Sequence, residues 1–147
     1  MSVLANIVMA DPDEADAIGE SSRPAEDWRG VEVKGLDAEK VAMLQSILTG
    51  QTFDEALGEY DPIYAAGEDG PWVIRIPDEL VERLAALEEE ALEPIGEELA
   101  ATEEFEMDGW PTDEVQMVLA ELAALAGIAA PQGKALFIWL RASAGGR

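Results

Sequence analysis

The amino-acid sequence predicts an α+β fold, in which a small mixed sheet of about three or more strands is covered by helices. Apolar runs typical of strands occur near the N-terminus, in the middle and at the C-terminus, and helical patterns separate them. The length of 147 residues and the hydrophobic content of 48% predict a single domain over residues 1–147 with one core, despite a net charge of −23.

The first strand is predicted at residues 3–9, which are rich in β-branched and long apolar side chains. The acidic segment DPDEA follows and predicts a short helix through about residue 18. Residues 19–35 contain Gly, Ser and Pro with little periodicity. We therefore expect a long loop over residues 19–35.

A longer helix is predicted after this loop. Its apolar residues recur at helical spacing, Asp37 can cap its N-terminus, and Gly50 is typical of a C-terminal stop. The segment TFDE then has the pattern of a capping box, with Thr52 as the cap and Glu55 three residues later, which predicts a second, short helix. Residues 60–70 run through Pro and Gly and predict a loop.

The segment PWVIRIP, residues 71–77, alternates with a period of two and predicts a strand. Arg75 is its one charged residue. We expect Arg75 on the same side as Val73, opposite the larger apolar side chains, as a structural counter-charge. Pro77 and the acids after it favour the start of a helix that continues to about Leu87.

The second half of the chain predicts two further helices and a closing strand. The helices are expected at residues 89–102 and 112–129, where apolar residues recur at helical spacing. The near-continuous apolar run KALFIWL, residues 134–140, predicts a buried strand. Residues 141–147 are expected to be a frayed tail.

The order of these parts resembles the YfbM-like family of small bacterial proteins, which have an α+β fold and no known function. The segments that carry the resemblance are MSVLANIVM, LDAEKVAMLQSILTG, IPDELVERLAAL, EMDGWPTDE and GKALFIWL. They cover most of the chain except residues 19–35. The resemblance implies a Trp and a His on the first long helix, but Val41 or its neighbours and Gln45 stand at those places. It therefore implies a fold and no activity.

The composition excludes several kinds of chemistry. The chain has no Cys and no His, which excludes disulfides, thiol catalysis and catalytic sites that depend on histidine. The acidic segment DPDEAD, residues 11–16, lacks the glycine and the twelfth-position Glu of a calcium loop. The segment GEDGPW lacks the lysine of a phosphate-binding loop. We therefore expect no metal, no cofactor and no catalytic residue.

The charge balance predicts the class of partner. The chain carries 32 acidic and 9 basic residues, which disfavours nucleic acids and anionic membranes. A basic protein surface is the partner that such a charge attracts. No apolar run approaches the roughly 20 residues of a membrane span, and the N-terminus lacks the basic residues of a signal peptide. We therefore expect a cytoplasmic protein.

The acidic residues are concentrated in one tract. Between Arg83 and Lys134 the sequence contains no basic residue. Like charges three or four residues apart on a helix repel, so local stability does not favour such a run. The tract is either a solvated helix face or a landing face for a cationic partner, to which aromatic side chains in loops would add contacts. The predicted binding residues are Glu97, Glu98, Glu103, Glu104, Glu106, Asp108, Trp110 and Tyr64.

These observations favour a non-catalytic protein-binding module of the immunity or inhibitor kind, directed at a basic partner. The alternative is a carboxylate-based enzyme or a small-ligand-binding protein that uses Arg75, since the acids just before Trp110 resemble the groups of a sugar site. A pocket joining these carboxylates to Trp110 or Tyr64 would favour the alternative. A broad acidic face without a cleft would favour the binding module.

Overall fold

The protein is described here by a computed structural model of residues 3–68 and 70–142. Its strands are β1 (Val3–Ala10), β2 (Gly30–Lys34), β3 (Tyr64–Ala65), β4 (Trp72–Arg75) and β5 (Ala135–Ala142). Its helices are α1 (Ala15–Glu20), α2 (Pro24–Asp27), α3 (Ala38–Thr49), α4 (Phe53–Leu57), α5 (Asp78–Ala85), α6 (Glu89–Ala100), α7 (Glu103–Glu106) and α8 (Thr112–Ala129).

The five strands form one sheet in the order β2-β1-β5-β4-β3. The predicted α+β class is confirmed, and all four strand pairings are antiparallel, where the sequence predicted a mixed sheet. β1 and β5 pair along their whole length, so the two ends of the chain form the middle of the sheet. Apolar runs show where strands lie but not which strands pair or in which direction.

The sheet separates two hydrophobic cores, because successive side chains of a strand point to opposite faces. The main core contains Ile7, Ile74 and Ile138, and residues of α3 to α8 complete it. The smaller core contains Val8 and Phe137, and α1 packs against it. The face of the main core therefore carries most of the helices.

Arg75 lies on the smaller-core side of β4. It pairs across the strands with Phe137, and Val73 on the same strand is in the smaller core, as the alternation predicts. Its guanidinium donates a hydrogen bond of 3.0 Å to a carboxylate oxygen of Asp78 in the first turn of α5. Arg75 is therefore a surface counter-charge beside the start of that helix.

The prediction of a loop at residues 19–35 is wrong, because this segment contains α2 and the edge strand β2. Only Val31 and Val33 alternate within β2, a pattern too short to predict a strand. Gly30 suggested a loop, but the pairing with β1 requires it, since a Cβ at this position would collide with the carbonyl oxygen of Ile7.

Two other segments predicted to be irregular contain strand residues. β3 lies within the predicted loop of residues 60–70 and pairs with β4. Arg141 and Ala142, predicted to be in a frayed tail, belong to β5, because β1 provides their partners. The rest of the predicted tail, residues 143–147, lies outside the described residues.

The predicted local helix signals are confirmed. Asp37 caps α3 by accepting a hydrogen bond of 3.0 Å from the backbone N–H of Lys40. Gly50 ends this helix with a φ of 83°, a conformation that glycine adopts without strain. Thr52 and Glu55 form the predicted capping box at the start of α4.

By length and composition, α8 together with the 3-10 turn that follows it could cross a membrane, and it is the one such helix in the described part of the chain. The lengths of the apolar runs in the sequence predict no membrane span. Val115, Leu119 and Leu122 of α8 are buried in the main core. A core helix passes the same test of length and composition.

Candidate functional site

A pocket of about 280 Å³ lies between the start of α3 and the short helix α7, and we call it the acidic pocket. Five carboxylates and one lysine line it, together with a methionine that is 78% exposed. Its lining residues are Asp37, Glu39, Lys40, Glu103, Glu104, Met107 and Asp108.

The helix cap of α3 fixes one side of the acidic pocket. One carboxylate oxygen of Asp37 accepts the backbone N–H of Lys40, and the other lies 3.3 Å from the ammonium nitrogen of the same lysine. A single carboxylate thus satisfies a free N–H group at the helix start and pairs with the lysine side chain.

An aromatic anchor holds the other side. Phe105 is the buried residue of α7, with 2% of its surface exposed, and its ring meets the ring of Trp110 edge to face at 5.4 Å between centroids. A helix of four residues has no stability of its own, so packing must hold α7 in place. Burial of Phe105 therefore positions the carboxylates of α7 at the pocket.

Lys40 lies in the wall between the acidic pocket and the main core. Its side chain is 2% exposed, and its stem lines a cavity of only about 10 Å³ together with apolar residues such as Leu44 and Phe105. Its ammonium group donates hydrogen bonds to Asp37 and Asp108. The lysine therefore ties α3 to the segment that follows α7.

The surroundings of Lys40 keep it protonated. Burial by itself lowers the pKa of Lys40, but the hydrogen bonds to Asp108 and Asp37 and the charges of both carboxylates together raise it by more, so the pKa lies above its ordinary value. A lysine that acts as a nucleophile or base needs a lowered pKa. Lys40 is therefore a fixed positive charge.

The remaining carboxylates give the pocket its excess of negative charge. Glu39, Glu103 and Glu104 form no salt bridge within residues 3–68 and 70–142. Such a site attracts a cationic group, and Met107 can contact the apolar stem of a lysine or arginine. In the same described ranges, no group of three or more acidic side chains is arranged to hold a metal ion.

The structure brings part of the predicted site together. Three of the predicted residues, Glu103, Glu104 and Asp108, line the acidic pocket. Trp110 is absent from the lining but supports it through Phe105. The other predicted acids are exposed on α6 and α7 without lining the pocket, and they are Glu97, Glu98 and Glu106.

Tyr64 lies apart from the other predicted residues. It packs against the smaller core, on the opposite face of the sheet from Trp110. There its ring lies so close to Gly19 of α1 that a Cβ on this glycine would collide with it. The structure therefore does not join Tyr64 to the acidic residues.

The sequence reasoning missed Lys40 and the two acids at the start of α3 as site residues. A signal was present, since Lys40 stands four residues from both Leu36 and Leu44 and therefore falls on the buried face of the helix. A buried ammonium group needs a partner. The sequence does not identify that partner, because Asp108 is 68 residues away.

A second buried titratable group lies at the other end of α3. Tyr60 is 4% exposed, and its hydroxyl donates a hydrogen bond of 2.7 Å to the side-chain oxygen of Gln45. Burial, and then the charge of Glu59, raise the pKa of Tyr60. Ionisation of this hydroxyl is therefore unfavourable in the folded protein.

The free energy of unfolding is expected to fall as the pH rises above about 10. Lys40 and Tyr60 both hold their proton more tightly in the folded chain. Their contribution is complete below the pKa values of the unfolded chain and is lost as the pH rises through the folded values. Urea unfolding at a series of pH values measures the effect. The fall should be shallower in Tyr60→Phe, and an unchanged slope would contradict the role of this tyrosine.

No protein-family model matches the chain, and no curated protein matches it. The solved structure of YfbM, a protein of unknown function from Escherichia coli, is similar, with 15% sequence identity and a TM-score of 0.43. The alignment covers 92% of this chain and 99% of that chain.

Proposed function

We propose that this protein is a non-catalytic binding module for a basic protein, and that a lysine or arginine side chain of the partner enters the acidic pocket. The observation that carries the proposal is the charge of the pocket. Five carboxylates line it, and its one lysine is already paired with Asp37 and Asp108. Immunity and inhibitor proteins that cover the basic surface of a toxin have a function of this kind.

Physical arguments support a basic partner. The net charge of −23 steers a cationic surface toward the protein from a distance, and salt screens this attraction. Charge complementarity mainly raises the association rate and selects the partner. Apolar contact with the exposed Met107 would then add to the residence time of the complex.

The alternative of a carboxylate-based enzyme or a small-ligand-binding protein has less support. The acidic pocket is a cleft, which suits a small ligand. Its lining, however, does not include Trp110, Tyr64 or Arg75, which that alternative needs. The raised pKa of Lys40 also makes this residue unsuitable as a general base at neutral pH.

Reversing two charges of the pocket is expected to weaken partner capture. The tagged protein is incubated with a lysate of the native organism at low and at high salt, and the retained proteins are identified by mass spectrometry. We expect a basic protein that is held at low salt and released at high salt. The double variant Glu103→Lys, Glu104→Lys should lower its retention about tenfold, because repulsion replaces attraction.

A matched control variant distinguishes the effect of the pocket charges from the effect of the net charge of the protein. The double variant Asp13→Lys, Glu20→Lys makes the same change in net charge at two exposed residues, one just before α1 and one at its end, on the smaller-core side of the sheet. It should retain the partner as well as the wild-type protein does. An equal loss in both double variants, or no basic protein retained by the wild type, would contradict the proposal.

A further inference from the structure

A second groove, of about 440 Å³, lies where the edge strand β2 meets α8, and we call it the edge groove. Four acidic residues and a single lysine contribute to its lining, together with Met117, which is 58% exposed. None of the residues that line the acidic pocket belongs to this groove. It is therefore a separate surface with the same sign of charge.

The outer side of β2 offers main-chain groups for pairing. The N–H of Gly35 donates to the carbonyl oxygen of Val3 at 2.8 Å, so the odd-numbered residues here turn their main-chain groups toward β1. These groups alternate in direction along an antiparallel strand. The N–H and C=O groups of Glu32 and Lys34 therefore point away from β1, and no described strand neighbours β2 on that side.

Acidic residues of α8 line the groove beside this open edge. Glu114, Met117 and Glu121 are exposed and stand three or four residues apart, so they share one face of the helix. Asp113 adds a carboxylate at the first turn. Among the described residues, none of these carboxylates forms a salt bridge.

We propose that an extended, basic segment of a partner protein adds to the sheet as a strand along β2. Its main chain would pair with Glu32 and Lys34, and alternate side chains would reach the carboxylates of α8 across the edge groove. For the basic character of the partner this inference rests on the proposed function. It adds a second surface and the conformation of the bound segment.

Charge complementarity favours a basic segment over a second copy of the chain as the occupant of the edge groove. A second copy of the chain would bring a further net charge of −23, and pairing of the two β2 edges would bring the carboxylates of both α8 helices toward the same interface. A segment with lysine or arginine at alternate positions places cations near Glu114 and Glu121 instead. Their aliphatic stems can also cover Met117.

The test compares two variants at one position. The probe is the peptide Lys-Val-Lys-Val-Lys-Val-Lys with blocked ends, and calorimetry measures its affinity. Glu32→Gln removes the charge of the side chain and keeps the outward N–H group. Glu32→Pro removes both the charge and the N–H group. Proline is tolerated at a position where the N–H group of an edge strand faces solvent. We expect Glu32→Pro to bind the peptide about tenfold more weakly than Glu32→Gln, from the loss of hydrogen bonding.

A second peptide tests the same point on the wild-type protein, in case Glu32→Pro does not fold. Lys-Pro-Lys-Pro-Lys-Pro-Lys has the same charge but cannot add as a strand, and we expect it to bind at least about tenfold more weakly. Equal affinity for the two peptides would overturn strand addition, and so would equal affinity of the two Glu32 variants. A wild-type dimer that Glu32→Pro dissociates would also overturn it, in favour of a second copy.

The proposal for the acidic pocket and the proposal for the edge groove can be contradicted independently of each other. The Glu103→Lys, Glu104→Lys variant keeps the edge groove and should bind the Lys-Val peptide as the wild type does. If strand addition fails while this variant still loses the basic partner, the proposed function stands without the edge groove. If the wild type captures no basic partner, the proposed function fails even where the peptide binds.

Discussion

Lys40→Glu is expected to lower the free energy of unfolding by about 3–5 kcal/mol or to prevent folding. The side chain at this position is 2% exposed and is paired with Asp37 and Asp108. A glutamate would place a buried carboxylate next to the carboxylates of Asp37 and Asp108. Repulsion between these charges and the desolvation of the glutamate would then replace two ion pairs. Urea unfolding at neutral pH measures the difference from the wild type.

Lys40→Met separates the charge from the packing. Methionine keeps an unbranched stem in the core wall, and Asp37 and Asp108, whose side chains are 34% and 56% exposed, stay in contact with water. We expect a loss of only about 1–2 kcal/mol. Under the proposed function this variant also binds the basic partner more tightly, because the pocket loses its one cation. A glutamate variant as stable as the methionine variant would contradict the burial of Lys40 between carboxylates.

Phe105→Ala is expected to lower the free energy of unfolding by about 3–5 kcal/mol. Phe105 is the buried residue of α7, it packs against Trp110, and it lines the cavity behind Lys40. Its loss leaves α7 without an anchor. The carboxylates of α7 then leave the acidic pocket, so capture of a basic partner should fall although no charge has changed. Urea unfolding and the capture experiment measure the two effects.

Phe105→Leu provides the control for this prediction. Leucine keeps an apolar anchor in α7, so we expect a stability loss below that of the alanine variant and nearly normal capture of the partner. An alanine variant that is destabilised yet captures the partner as the wild type does would show that α7 does not position the pocket carboxylates.

The sequence by itself predicts the elements that depend on neighbours along the chain. The cap at Asp37, the stop at Gly50 and the capping box at Thr52 are local hydrogen-bond patterns, and the structure contains all three. The alternation in PWVIRIP predicts β4 and the side on which Arg75 lies. These features depend on the geometry of residues that are close in the chain, so they can be inferred directly from the sequence.

The edge strand β2 could not be predicted in this way. Its two valines form too short a pattern, and its glycine is a common loop signal. The pairing with β1 explains why this short segment is a strand. It also explains the glycine, because β1 leaves no space for a side chain at Gly30. The antiparallel pairing of β5 with β1 and with β4 likewise results from how distant segments meet.

The candidate site shows the same division. The acidic tract indicates negative charge near Glu103, Glu104 and Asp108, and these three residues do line one pocket. The tertiary structure alone decides that Lys40 completes the pocket and that Tyr64 lies on the other face of the sheet. The sequence determines which residues are charged or able to cap a helix, because those properties are local. Which charges meet depends on contacts between residues far apart in the chain, and only the folded packing specifies them.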